Sequence, residues 1–182
     1  MGIVKAVAGV LPELCLALLL LPWLPRLILV KGASMRDTLL DRDLLLAFPL
    51  HGRAPRRGEI VICLYPGRRE KHFPWRRQRF VKRVIGLPGE TLSIHEGIVQ
   101  INGLPLWEPY LRSQTLRGTK ELLPQKLGEQ EFFVMGDNRA NSRDSRAIGP
   151  LPRRNLLLVV RLRLWPPKQL TRPRTAARST DR

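Results

Sequence analysis

The sequence predicts a mainly β protein with one N-terminal transmembrane helix. Three observations lead there. Residues 3–24 are almost wholly apolar, and about 21 residues of helix span roughly 31 Å, the thickness of a bilayer's hydrocarbon core. Beyond them, short apolar runs of strand length are separated by turns rich in Gly, Pro, Asn and Asp. Between Ile101 and Leu104, Asn102-Gly103 is a strong hairpin signal, because a two-residue type I′ turn needs positive φ at both central positions.

The anchor covers residues 1–26 in this reading. Pro12 and Glu13 weaken it, a carboxylate near the middle of a span costing about 3 kcal/mol. The alternative is a cleaved secretory leader, with Lys5 as its basic start and Leu14–Leu21 as a short apolar core. No A-x-A site follows: Pro22, Trp23, Pro25 and Arg26 come next, and a cut after Ala33 would put Lys31 at the third position back. A retained, single-pass anchor is therefore expected. If the N-terminus stays inside, the remainder of the chain lies on the extracytoplasmic side of the cell membrane.

A β-rich domain is expected over residues 27–165. Pro22 and Pro25 should end the helix, and Leu27–Val30 then reads as a short strand. Leu44–Phe48 and Glu59–Tyr65 follow as buried strands. Phe80–Ile85, Thr91–Ile94, Gly97–Ile101, Glu131–Met135 and Leu156–Leu164 complete the set. Residues 68–79 read as a basic connecting loop, and 108–130 as a polar excursion with one marginal strand. Residues 166–182 are rich in Pro and Arg, carry +4, and are expected to be disordered.

The charge belongs to the domain. Lys and Arg number 32 against 15 Asp and Glu, a net +17, of which residues 1–30 supply only +1. Such a balance first suggests nucleic acid or an anionic surface. From Arg68 to Arg83, eight Lys or Arg face one glutamate and are interleaved with Phe73, Trp75 and Phe80. That mixture suits single-stranded nucleic acid or anionic lipid headgroups. A solvated connecting loop is favoured, one able to touch membrane lipid because Trp75 suits the headgroup interface, and no specific nucleic-acid partner is expected. Cys15 and Cys63 lie in different settings and have no metal-site spacing, so neither a disulfide nor a metal or other cofactor is expected.

Candidate chemistry begins at Lys82. In a strand over 80–85, Phe80, Lys82 and Val84 share one face, while Val81, Arg83 and Ile85 point the other way. A lysine among apolar groups loses hydration of its ammonium form, its pKa falls from about 10.4, and the free amine becomes a general base. An edge lysine whose stem snorkels to water fits the same residues. Ser34, after the small residues Gly32 and Ala33, is a candidate nucleophile or a plain turn serine. Gly136–Arg146 (G-D-N-R-A-N-S-R-D-S-R) runs eleven residues without a large apolar side chain. It suits a surface loop or a hydrogen-bonded platform under an active site.

Taken together, S-M-R-D-T-L at Ser34, K-R-V-I-G-L-P-G-E at Lys82 and the platform at Gly136 resemble the type I signal peptidases, bacterial type, of the Ser-Lys serine proteases. The similarity extends from Gly32 to Arg161, taking in R-R-G-E-I-V and I-N-G-L-P-L-W-E-P-Y-L. It implies a signal-peptidase-like β-rich catalytic core at the outer membrane surface, cutting signal peptides from preproteins with small residues at positions −1 and −3. By the same resemblance Ser34 is the nucleophile and Lys82 its general base. Ser142 orients the lysine, Asp144 and Arg146 brace the platform near Arg83, and the Ser34 amide serves the oxyanion hole. Relatives that add a hydroxyl two residues earlier have it where this chain has Gly32.

Phe80, Val84 and Met35 are expected to exclude water from the amine, and Met35, Leu39 and Val81 to wall the substrate pockets. Asp37 replaces the family's usual proline and is expected to face solvent or pair with Arg36 or Arg42. A LexA-like Ser-Lys autoprotease would need a DNA-binding module where this chain has an apolar segment. A non-catalytic nucleic-acid or lipid-binding β-domain is the rival suggested by the charge alone.

Overall fold

The computed structural model describes residues 21–111 and 121–167. Within them the strands are β1 (Arg26–Leu29), β2 (Leu44–Pro49), β3 (Ile60–Arg69), β4 (Arg77–Gly86), β5 (Thr91–His95) and β6 (Ile98–Ile101). They continue with β7 (Leu104–Pro105), β8 (Leu122–Lys126), β9 (Glu131–Met135), β10 (Leu151–Pro152) and β11 (Leu156–Trp165). A single helical turn, α1 (Ser145–Ile148), sits between β9 and β10. A seven-stranded sheet runs β1-β2-β11-β3-β4-β9-β10, and a four-stranded sheet runs β7-β6-β5-β8.

The large sheet is buried on both faces at its centre, which is why β3 reads as a continuous apolar run rather than an alternation. Ile60 and Ile62 pack with Met35, Leu39 and Leu45. Val61 and Cys63 point the other way, to Val84, Phe132, Val134 and Val159. A third core joins the small sheet to β4 and β9 through Ile85, Leu92, Ile94, Phe133 and Met135. Where β4 crosses to this core, a side chain at Gly86 would meet Leu127 Cδ1 at 2.6 Å and Phe133 Cβ at 3.0 Å.

Expected and observed elements differ most clearly between β3 and β4. The basic segment 68–79 is not all loop: the β3 and β4 ladders continue past a register shift to pair Arg69 with Arg77, and the turn is closed by Glu70 N–H donating to the Arg76 carbonyl at 2.9 Å. Backbone pairing is indifferent to side-chain charge, so a run of arginines on an exposed hairpin costs the ladder little. Within 108–130 the marginal strand forms as β8 and pairs with β5, while 112–120 lie outside the described residues. Of the expected anchor, residues 1–20 lie outside them too. Leu21–Trp23 is a short 3-10 turn and Arg26 already belongs to β1. Among the described residues no helix is long and apolar enough to cross a membrane. The expected tail is described only to Pro167.

Gly86→Ala should lower stability by about 1–3 kcal/mol, the usual cost of overpacking a core. The measurement is the urea midpoint, with an unchanged m-value marking the loss as local.

Candidate active site

Ser34 sits in a turn directly after β1. The turn is drawn tight by Arg36 N–H donating to the Ala33 carbonyl (3.1 Å) and Leu39 N–H to the Met35 carbonyl (2.6 Å). Met35 and Leu39 enter the core below it, 1% and 0% exposed. Apolar burial on one side thus holds the serine up on the other.

Lys82 comes from the middle of β4, on the face with Phe80 and Val84 as the alternation requires. It is only 3% exposed. Its Nζ lies 2.7 Å from Ser34 Oγ and donates to the Val81 carbonyl at 2.9 Å. The ring of Phe80 stands 5.3 Å away. Burial pulls the amine down from its ordinary 10.5 to about 8, against the opposing pull of Asp144 and Asp137. Cys63, across the ladder, is pushed up to about 12 by burial and stays a neutral thiol.

The Gly136–Arg146 segment is a platform rather than a solvated loop. Asp144 caps α1 and takes a two-point ion pair from Arg146, both contacts at 2.8 Å, and it also accepts from Gly136 N–H at 2.8 Å. Burial would raise its pKa, but the Arg146 guanidinium and these donors hold it below the ordinary carboxylate value. Asp137 is 0% exposed and accepts from the buried Arg83 at 2.9 and 2.6 Å and from Thr38 Oγ1 at 2.5 Å. Asn138 N–H donates to the Ser34 carbonyl and its Nδ2 to the Ala33 carbonyl, each at 3.0 Å. Arg139 pairs with Glu108. A side chain at Gly136 would overlap both the Ser142 hydroxyl and the Ser34 carbonyl.

The fold brings some of the sequence-predicted residues together and sets others apart. Ser34, Lys82, Ser142, Asp144 and Arg146 converge. Ser142 makes no hydrogen bond to Lys82: its hydroxyl is buried without a partner of normal geometry, beside the Asp144 carboxylate that it helps keep ionised. Gly32 lies in the same turn with φ of +95°, and its N–H is engaged by Asp41 Oδ1 at 2.8 Å, so that amide is not free for an oxyanion. Met35 and Val81 line a groove of about 690 Å³ that ends at Ser34. Leu39 does not line it, because it is wholly buried among Leu45, Ile60 and Val160. Asp37 is half-buried in the turn, and Arg42 pairs with Asp41 at 3.9 Å.

Sequence reasoning missed Thr38, Asp137 and Asn138 as individuals. The G-D-N-R run was the available signal, but its partners lie about a hundred positions away. The groove separates two open strand edges. β1 ends the large sheet, and β4 pairs with β9 only through Arg83, Val84 and Gly86, leaving Gln78–Val81 free on that side.

Residues 3–165 match the family model for signal peptidase, peptidase S26, and the chain belongs to that family. It is 38% identical over 143 residues to the signal peptidase I of Leptolyngbya laminosa, covering 78% of this chain and 69% of that protein. It is 36% identical over 140 residues to a probable signal peptidase I-2 of Synechocystis, covering 75% and 62%. With a Bacillus licheniformis signal peptidase I it shares 36% over 149 residues, covering 77% and 76%. The chain thus spans between about three fifths and three quarters of the length of these relatives.

Two expectations follow from this geometry. Gly136→Ala should cut peptide cleavage at least a hundredfold while the protein stays folded, read as kcat/KM beside circular dichroism, because the added methyl must displace Ser142 or the Ser34 turn. For Lys82 the sign is fixed by its lowered pKa. The folded chain releases the proton near 8 and the unfolded one near 10.5, so stability rises with pH across that window. Relative to Lys82→Met, the wild type should gain up to about 3 kcal/mol between the two values in denaturant titrations.

Proposed function

We propose that the chain is a membrane-anchored serine endopeptidase that removes N-terminal signal peptides from exported preproteins, with Ser34 as nucleophile and Lys82 as general base. The observation that carries this reading is the 2.7 Å contact between a buried amine and a hydroxyl. With an amine pKa of about 8, on the order of a tenth of the molecules hold it neutral at pH 7. The neutral amine accepts the Ser34 proton as Oγ attacks the carbonyl carbon before the scissile bond. The carbonyl oxygen takes up the negative charge and accepts from the Ser34 amide, whose turn is braced by Asn138. The Lys82 ammonium then protonates the departing amine. Water, deprotonated by the same lysine, hydrolyses the resulting ester. Ser142, whose buried hydroxyl makes no hydrogen bond of normal geometry, is suited to receive one from the ammonium form.

An extended substrate segment can pair with the open edges of β1 and β4, its alternate side chains entering shallow apolar surface around Met35 and Val81. Small residues at −1 and −3 fit such surface. Membrane attachment agrees with the family, whose members are membrane-associated, and with an apolar outer sheet face. There Leu27 pairs across β2 with Leu162 through Leu46, and Leu27, Leu29, Leu162 and Trp165 stay more than half exposed. A single-pass anchor in residues 1–26 would leave the catalytic domain extracytoplasmic.

Incubating detergent-solubilised protein with a preprotein tests the assignment. Wild type should release the signal peptide, while Ser34→Ala and Lys82→Ala should each lose at least a thousandfold in rate without unfolding. Undiminished processing by either variant would sink it. The wild-type rate should also climb about tenfold per pH unit below pH 8 and level off above it.

A further inference from the structure

We propose that the protruding β3–β4 hairpin is an arm that binds anionic phospholipid headgroups and so holds the outer mouth of the groove at the membrane surface. This rests on the membrane location just argued. The arm's charge is lopsided and uncompensated. Arg68, Arg69, Lys71, Arg76, Arg77 and Arg79 stand against Glu70. Among the described residues none of these six cations has a carboxylate within ion-pairing distance. Among the described residues several arginines outside the arm are matched: Arg53 and Arg161 share Glu59, Arg83 has Asp137, Arg139 has Glu108, and Arg163 has Asp43.

The arm also presents apolar area beside its cations. Trp75 is 71% exposed and Phe73 44%. Their rings meet edge to face at 5.5 Å, and the Arg76 guanidinium lies over Phe73 at 5.5 Å. Amphipathic rings flanked by cations match the headgroup layer, which offers phosphate above and acyl chain below. Single-stranded nucleic acid fits less well, since bases need open ring faces to stack on and Phe73 is capped by Arg76. Lys71 and Phe73 line the same groove as Ser34, opposite Leu27 and Leu29. Headgroup contact at the tip therefore brings the groove's far end to the bilayer.

The test uses the full chain in phosphatidylcholine vesicles with and without phosphatidylglycerol. Its variants are Trp75→Phe and the pair Arg68→Glu and Arg76→Glu, none of which lines the groove. Brominated phosphatidylglycerol should quench wild-type tryptophan emission, and the share of that quenching due to Trp75 should vanish in Trp75→Phe, leaving only the share of the other exposed tryptophans, Trp23, Trp107 and Trp165. Preprotein processing in anionic vesicles should fall about tenfold or more in the charge-reversed pair, with salt removing the difference. Processing of a soluble peptide in detergent should match wild type, which separates this idea from the peptidase assignment. Equal quenching in wild type and Trp75→Phe, or full processing by the charge-reversed pair, would overturn the lipid arm. So would a loss confined to peptides with acidic side chains, or displacement of the arm from vesicles by an oligonucleotide alone.

Discussion

One constraint governs this molecule: an amine must remain buried beside a hydroxyl without a counter-ion touching it. A carboxylate in contact with Lys82 would restore the ammonium and remove the proton acceptor; complete isolation would leave the amine neutral but unable to take up charge as the reaction proceeds. The chain sits between these limits. Asp144 and Asp137 are close enough to oppose the desolvation of Lys82, yet each is saturated by an arginine of its own. Their field reaches the lysine while their lone pairs do not.

That arrangement explains the density of buried charge around a small site. Replacing such ion pairs with apolar residues often leaves stability unchanged or improved, so their presence calls for another reason. Here they lock backbone. Asp137 joins the Arg83 strand to Thr38 in the nucleophile turn, and Asn138, the next residue, grips the Ala33 and Ser34 carbonyls. Arg163 reaches the same turn from β11, donating to the Thr38 carbonyl at 3.3 Å and pairing with Asp43. Three distant segments are thereby fixed to one turn.

Much of this was legible in the sequence, and the misses have physical reasons. Strand positions followed from apolar runs, and the hairpin at Asn102 from its turn residues. The faces of β4 follow from alternation, which by itself puts Lys82 beside Phe80 and Val84. Leu39 was misjudged as a pocket wall because spacing after Ser34 cannot tell the inside of a tight turn from its outside. The hairpin arm was shortened because charge reads as loop although backbone pairing ignores it. Glu108 and Arg139 lie 31 positions apart, and nothing local announces their pairing. The roles of Ser34 and Lys82 come from the resemblance; the residues alone favour a turn serine and a snorkelling lysine.

The two open strand edges bordering the groove carry a last implication. Unpaired edges normally invite another sheet, yet these two border one groove, and in the proposed reading an extended chain would enter between them. Main-chain pairing there would be blind to sequence, so discrimination is left to a few side-chain dents near the cut. A polypeptide that had already collapsed into its own structure would offer nothing to insert. Timing would then act as a filter alongside composition: only chains still emerging, before their termini are tucked away, qualify for the groove.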